Sequence, residues 1–113
     1  MKIIIEIISL NELKQLATDT FGNLVKAVVD VDRELVALDA ELHPDLEALL
    51  LENGSKQHSL WGTNFYPELQ GDEFIEFDSM INLRPSRGNK SRGVENEIIR
   101  NKIVNVVNKW IKR

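Results

Sequence analysis

An α+β domain is the architecture that this sequence calls for. Five stretches carry apolar residues in alternation or in β-branched runs, and three others repeat them at helical spacing between start and stop residues. Their order is β-α-β-β-α-β-β-α. The first six elements match a ferredoxin-like split βαβ core, to which a strand and a long C-terminal helix are added. The alternative is another antiparallel or mixed sheet with helices on one face. The 113 residues fit a single globular domain, 1–113. A chain of that length buries about two-thirds of its unfolded surface, enough for one core without staples.

Residues 2–8 carry four isoleucines, which favour a strand, and their consecutive placement predicts a central strand buried on both faces. Ser9-Leu10-Asn11-Glu12 has the form of a capping box, and Leu10, Leu13, Leu16 and Ala17 follow at helical spacing. A helix is expected over about 10–20, with Gly22 at its left-handed stop. Residues 24–31 alternate, with Val25, Ala27, Val29 and Val31 on one side. Residues 34–39 read as the partner strand, and Asp32-Arg33 as a tight hairpin loop.

Pro44, Asp45 and Glu47 mark the start of a second helix; Leu46, Leu49 and Leu50 make its buried stripe; Gly54 ends it. Residues 59–66 form a strand that Pro67 stops. Residues 74–83 read as one long strand, with Ile75, Phe77, Ile81 and Leu83 on one face and Glu76, Asp78 and Asn82 on the other. From Val94 the period becomes helical. Ile99, Ile103, Val106, Val107 and Trp110 predict an amphipathic helix of about 18 residues.

Composition narrows the function classes. Apolar residues make up 42% and charged residues 28%, a globular balance. The absence of cysteine removes disulfides, thiolate metal sites and cysteine nucleophiles. The opening isoleucines are cut by Glu6, too short a run for a signal peptide, and no apolar run approaches a membrane span. A cytoplasmic protein with no membrane contact is therefore expected. Residues 1–83 hold five Lys/Arg against sixteen Asp/Glu, a balance of −11. Residues 84–113 hold nine against two, a balance of +7. A basic end on an acidic body either folds back onto that body or a twin chain, or offers a surface to phosphate or nucleic acid.

The densest chemistry lies in Arg84-Pro85-Ser86-Arg87-Gly88-Asn89-Lys90-Ser91-Arg92-Gly93. Cations neutralise phosphate oxygens, glycines let backbone approach closely, and the following helix would present free N–H groups to an anion. Arg84, Arg87, Lys90 and Arg92 are the candidate phosphate contacts, with Ser86, Asn89 and Ser91 adding hydrogen bonds. Glu95 and Glu97 compete for the same helix end. The loop is not a Walker loop, and it carries no aromatic stacking platform. The bland reading is a solvated loop before a helix.

Two weaker constellations stand beside it. Glu41, His43 and Asp45 would hold a metal or orient a base in an extended chain, whereas a helix starting at Pro44 makes His43 a cap. Asn64, Glu76, Asp78 and Asn82 would form a polar patch if their strands pair, either a ligand floor or a solvated sheet face. His58 reads as loop surface. No nucleophile elbow, dinucleotide fingerprint or zinc signature is present, and no cofactor is implied.

The stretches 26–31 (KAVVDV), 41–43 (ELH), 47–51 (EALLL), 54–57 (GSKQ), 60–62 (LWG) with Asn64, Tyr66-Pro67, and 78–91 with Arg84-Pro85-Ser86, Gly88-Asn89 and Ser91 together resemble a domain-of-unknown-function family of short prokaryotic proteins. The resemblance covers nearly the whole chain. It implies a small stand-alone protein and no assigned activity, so it transfers no catalytic residue.

Three functional expectations follow. The first is a non-enzymatic module binding an anionic ligand or nucleic acid through residues 84–93. The second is a homo-oligomeric or protein-interaction protein using the broad apolar stripe that ends in Trp110 and Ile111. The third is a small metal-dependent hydrolase using His43 with Glu41 and Asp78.

Overall fold

The computed structural model describes residues 1–113. Seven strands and three helices appear in the order β1 (Lys2–Ile3), β2 (Ile8–Ser9), α1 (Leu10–Asp19), β3 (Val25–Asp30), β4 (Leu35–Leu38), α2 (His43–Glu52), β5 (Leu60–Phe65), β6 (Ile75–Glu76), α3 (Glu97–Trp110) and β7 (Ile111–Lys112). The α+β class and the C-terminal helix are as expected. The main sheet has the order β1-β4-β3-β5-β6, antiparallel throughout, and β2 pairs with β7 as a small parallel sheet.

That order is not ferredoxin-like. In the expected arrangement the first strand would be central; here β1 is an edge strand, antiparallel to β4 through Lys2↔Leu38 and Ile3↔Ala37. The isoleucine run does not stay in the sheet. Ile4 and Ile8 are buried, while Ile5 is 82% exposed, so the run leaves β1 and re-enters structure only at β2. Consecutive β-branched residues signal strand propensity but not sheet position.

The helices also lie on two faces rather than one. Val25, Ala27, Val29, Val36 and Phe65 pack with Leu13 of α1 and Ile103, Val106 and Val107 of α3. Val28, Ala37 and Leu60, from the opposite pleat, pack with Leu46 and Leu50 of α2. Both faces of β3 and β5 are thereby covered, which is why every residue of β5 is buried.

The local signals at the helix ends hold. Ser9 Oγ accepts from Glu12 N–H at 3.1 Å and caps α1. Gly22 sits at φ +95°, with its N–H on Ala17 O. The helix expected from Val94 starts later, at Glu97, because Asn96 caps it: Asn96 Oδ1 accepts from Ile98 and Ile99 N–H at 2.8 and 3.1 Å. The β3–β4 turn takes four residues, 31–34, rather than the expected Asp32-Arg33 alone, and it is held by buried Asp30. Its Oδ1 accepts from the N–H groups of Asp32 and Arg33, and its Oδ2 from Ser55 Oγ at 2.6 Å. Arg33 then donates to Asn53 O, tying the hairpin to the end of α2.

The largest departure is the strand expected over 74–83. Pairing with β5 stops after Ile75–Glu76, and Met80–Asn82 form a 3-10 turn instead. The fully buried Asn82 side chain takes over where the ladder ends. Its Oδ1 accepts from Gly62 N–H at 2.8 Å and its Nδ2 donates to Gly62 O at 2.9 Å. One amide thus stands in for a strand neighbour. The close approach of the turn before it requires a glycine: a Cβ on Gly62 would overlap Ser79 Cβ and lie 2.5 Å from Ser79 Oγ and 3.1 Å from Ile81 Cγ1.

Candidate functional site

Residues 84–93 fold into a compact loop that Arg84 ties to Leu60 of β5. Pro85–Arg87 make a 3-10 turn that closes at Gly88, φ +86°. Arg84 and Asn89 pair across it, N–H to O in both directions, at 2.8 and 3.1 Å. Asn89 is buried. Its Nδ2 donates to Asn82 O at 2.7 Å and Gly93 O at 2.8 Å, and its Oδ1 accepts from Glu95 N–H at 2.9 Å. Asn82 Nδ2 also reaches Arg92 O at 3.0 Å. Two buried asparagines therefore rivet the loop to itself and to β5.

The basic segment folds back onto the acidic body. Arg84 pairs with Glu47 at 3.9 Å, Arg92 with Asp78 at 2.9 Å and Lys109 with Glu34 at 3.7 Å. The four candidate phosphate contacts consequently differ. The Arg84 guanidinium stacks 4.8 Å over the Trp61 ring and donates from Nε to Ile81 O and from Nη2 to Leu60 O. Burial pulls its pKa below the usual arginine value, Glu47 opposing. Arg92 is held by Asp78. Arg87 and Lys90 are exposed and form no ion pair, as are Ser86 and Ser91 at the loop surface. Two of the free N–H groups expected at the start of α3, those of Ile98 and Ile99, are occupied by Asn96.

A cleft of about 390 Å³ opens between this loop, the start of α3 and Trp61. Arg84, Arg87 and Asn89 line it together with His58, Trp61 and Asn96. Two buried donors among these side chains have no partner, Trp61 Nε1 and Arg84 Nη1. Trp61 is 6% exposed. An unpaired buried N–H costs about 1–3 kcal/mol. Both belong to residues that line this one cleft. Glu95, the one acidic lining residue, accepts from Lys90 N–H at 2.6 Å.

Among the remaining candidates, Asn64, Glu76 and Asp78 do come together, on the opposite face of the sheet, while Asn82 is withdrawn into the interior. His43 joins those three in one cleft; Glu41 and Asp45 do not line it. His43 is the first residue of α2, not its cap, which is Leu42. It is buried, and its Nε2 donates to Thr63 O at 2.8 Å. Burial lowers its pKa, so the ring is held neutral. No three His, Cys, Asp or Glu side chains converge where they could hold a metal ion. The apolar stripe of α3 is spent within the chain: Ile103, Val106, Val107 and Ile111 are buried, and Trp110 Nε1 donates to Glu34 O at 2.7 Å. No helix is long and apolar enough to cross a membrane.

The family described as "Protein of unknown function (DUF5674)" matches residues 2–110. The chain belongs to this family. The match takes in the loop, both clefts and the whole main sheet. No curated protein and no solved structure gave a match.

Sequence reasoning missed Trp61 and misplaced Asn82, a candidate for the polar patch that is in fact fully buried. Trp61 reads as one more apolar strand residue, and Asn82 falls by alternation on a polar face. The signal that carried information was Gly62, a glycine inside a strand, which marks a close approach by another group.

Proposed function

We propose that this DUF5674 protein is a non-enzymatic binding module for a small molecule carrying an anionic acceptor group, a carboxylate or phosphate, seated in the cleft beneath residues 84–93. The observation that carries the reading is the pair of unpartnered buried donors, Trp61 Nε1 and Arg84 Nη1, lining one cleft. Arg87, exposed and without an ion pair, adds charge at the mouth. The volume falls within the range of small-ligand pockets.

A small anion draws more support than nucleic acid. Only Arg87 and Lys90 of the loop cations are free of a carboxylate. Two phosphate contacts would give a log–log salt slope of only about −2, that of weak binding. Self-association through α3 draws little, since its stripe is used in the core. A cytoplasmic, prokaryotic setting belongs to the same proposal and rests on the lack of cysteine and on the sequence resemblance.

Trp61 supplies its own reporter. In a Trp110→Phe background, its fluorescence is followed during titration with inorganic phosphate, acetate and a short single-stranded RNA at low and physiological salt. The expected result is a saturable change with phosphate or acetate that is lost in Arg87→Ala. No change with either small anion overturns the reading. A steep salt-dependent response to RNA alone returns the function to nucleic acid.

A further inference from the structure

The second cleft, of about 530 Å³, lies on the face of the sheet that packs against α2. Lys26, Asn64 and Glu76 form its floor, side by side in register across β3, β5 and β6. His43 makes one wall and Asp78 the other.

Asn64 is 6% exposed, and its orientation is fixed by what surrounds it. Nδ2 donates to Glu76 Oε1 at 2.9 Å and to Asp78 O at 3.3 Å. Both are pure acceptors, so the amide nitrogen must face them and Oδ1 must face away. Asn64 Oδ1 is buried with no partner. Tyr66 Oη also donates to Glu76 Oε1, at 3.1 Å, leaving the second carboxylate oxygen open.

The cations near this floor are engaged elsewhere. Lys26 Nζ stands 5.2 Å over the Phe21 ring, and Arg92 is held by Asp78. His43 is neutral; its ring comes within hydrogen-bonding reach of the Asn64 side chain, but its one proton is committed to Thr63 O, so it gives Asn64 Oδ1 no donor. Glu76 makes no ion pair within the chain. The cleft therefore offers unused acceptors, one of them buried and one charged, where the first cleft offers unused donors.

We propose that this second cleft binds the primary ammonium group of a small polar amine, with its N–H groups on Asn64 Oδ1 and the Glu76 carboxylate. A charged donor satisfies the orphaned oxygen and neutralises Glu76 in one step, and charge-assisted hydrogen bonds of this kind are the strong ones. The site stands apart from the anion cleft and does not depend on it. A molecule bearing both groups would need to bridge the sheet, so two separate ligands, or one ligand per face, are implied.

The test uses the full chain, ¹⁵N-labelled, titrated with ethylammonium chloride and followed by the Asn64 side-chain NH₂ and the Tyr66 and Glu76 backbone amides. Tetramethylammonium chloride at matched ionic strength carries the same charge without N–H. Ethylammonium is expected to give saturable shifts centred on these groups, and tetramethylammonium none. Glu76→Gln, at an exposed position that keeps the fold, should weaken binding by about tenfold or more, the loss of one charge-assisted hydrogen bond. Asn64→Leu should do the same, and Arg87→Ala should leave the titration unchanged. Absence of saturation with ethylammonium, equal binding of tetramethylammonium, or an unaltered Glu76→Gln titration would each overturn the proposal.

Discussion

Replacing Asn82 by aspartate changes one NH₂ into an oxygen and almost nothing else, which isolates the role of that amide. In the native chain Nδ2 faces two carbonyl oxygens, those of Gly62 at 2.9 Å and Arg92 at 3.0 Å. Oδ1 faces the Gly62 N–H. An aspartate keeps the second contact and sets an oxygen against two others in the first. The buried group must then take up a proton to donate to either carbonyl. Holding an acid of reference pKa about 3.9 protonated at pH 7 costs about 4 kcal/mol, at 1.36 kcal/mol per unit. One carbonyl still loses its donor, a further cost of about 1–2 kcal/mol.

The loss at pH 7 is therefore about 4–6 kcal/mol, comparable to the whole stability of many small domains. The sign with pH follows from linkage. The introduced carboxyl would have a raised pKa in the folded state, so the penalty is smallest below the unfolded value and grows as pH rises from there toward the folded one. Urea denaturation of wild type and Asn82→Asp at about pH 7 and about pH 4 measures both parts. The expected difference shrinks to about 1–2 kcal/mol at the lower pH. Asn82→Ala, which leaves the same backbone groups bare at any pH, serves as the pH-independent control. A penalty under about 1 kcal/mol at pH 7, or one equal at both pH values, would refute the assignment of this amide as a surrogate strand neighbour.

Two other outcomes are expected. Gly62→Ala should lose about 1–3 kcal/mol by overpacking against Ser79, and adding Ser79→Gly should recover part of it; urea midpoints decide, and an unchanged midpoint in Gly62→Ala would refute the close approach. His43 is lowered from 6.5 mainly by burial, so the unfolded state binds more protons below that value and stability should fall as pH drops through 6.5. His43→Phe should flatten that part of the profile between about pH 7 and pH 5, and a slope identical to wild type would show that His43 is not its source.

The helices were legible because their signals are local. Ser9 and Glu12, Gly54 and Gly22 each act within a few residues and appear in their expected places, while Pro44 falls one residue inside the helix whose start it marks. The hairpin and β5 were legible for the same reason. The long strand over 74–83 was not. Alternation continued through Ile81 and Leu83, but Asn82 breaks the ladder by bonding sideways to Gly62, twenty residues away in sequence. The isoleucine run misled in a related way, since propensity does not encode whether a strand is central or at an edge. For the candidate site, Arg84 and Arg87 look alike in sequence. Their difference, one stacked on Trp61 and one in solvent, is made by tertiary packing. The orphaned atoms of Trp61, Arg84 and Asn64 exist only once the chain has closed around them.

The loop that ends β6 early also has a protective consequence. β5 is a fully buried strand whose outer side is paired with β6 only at Asn64 and Phe65. Along Leu60–Thr63 that side would otherwise be a bare rim of backbone donors and acceptors, a template for a strand from another molecule. Side chains close it instead: Asn82 caps both polar groups of Gly62, and Arg84 Nη2 takes Leu60 O. Damage to this clasp would therefore do more than loosen the cleft beside Trp61. It would uncover an adhesive edge, and the first visible symptom in such variants would be aggregation in the test tube before any loss of helix signal.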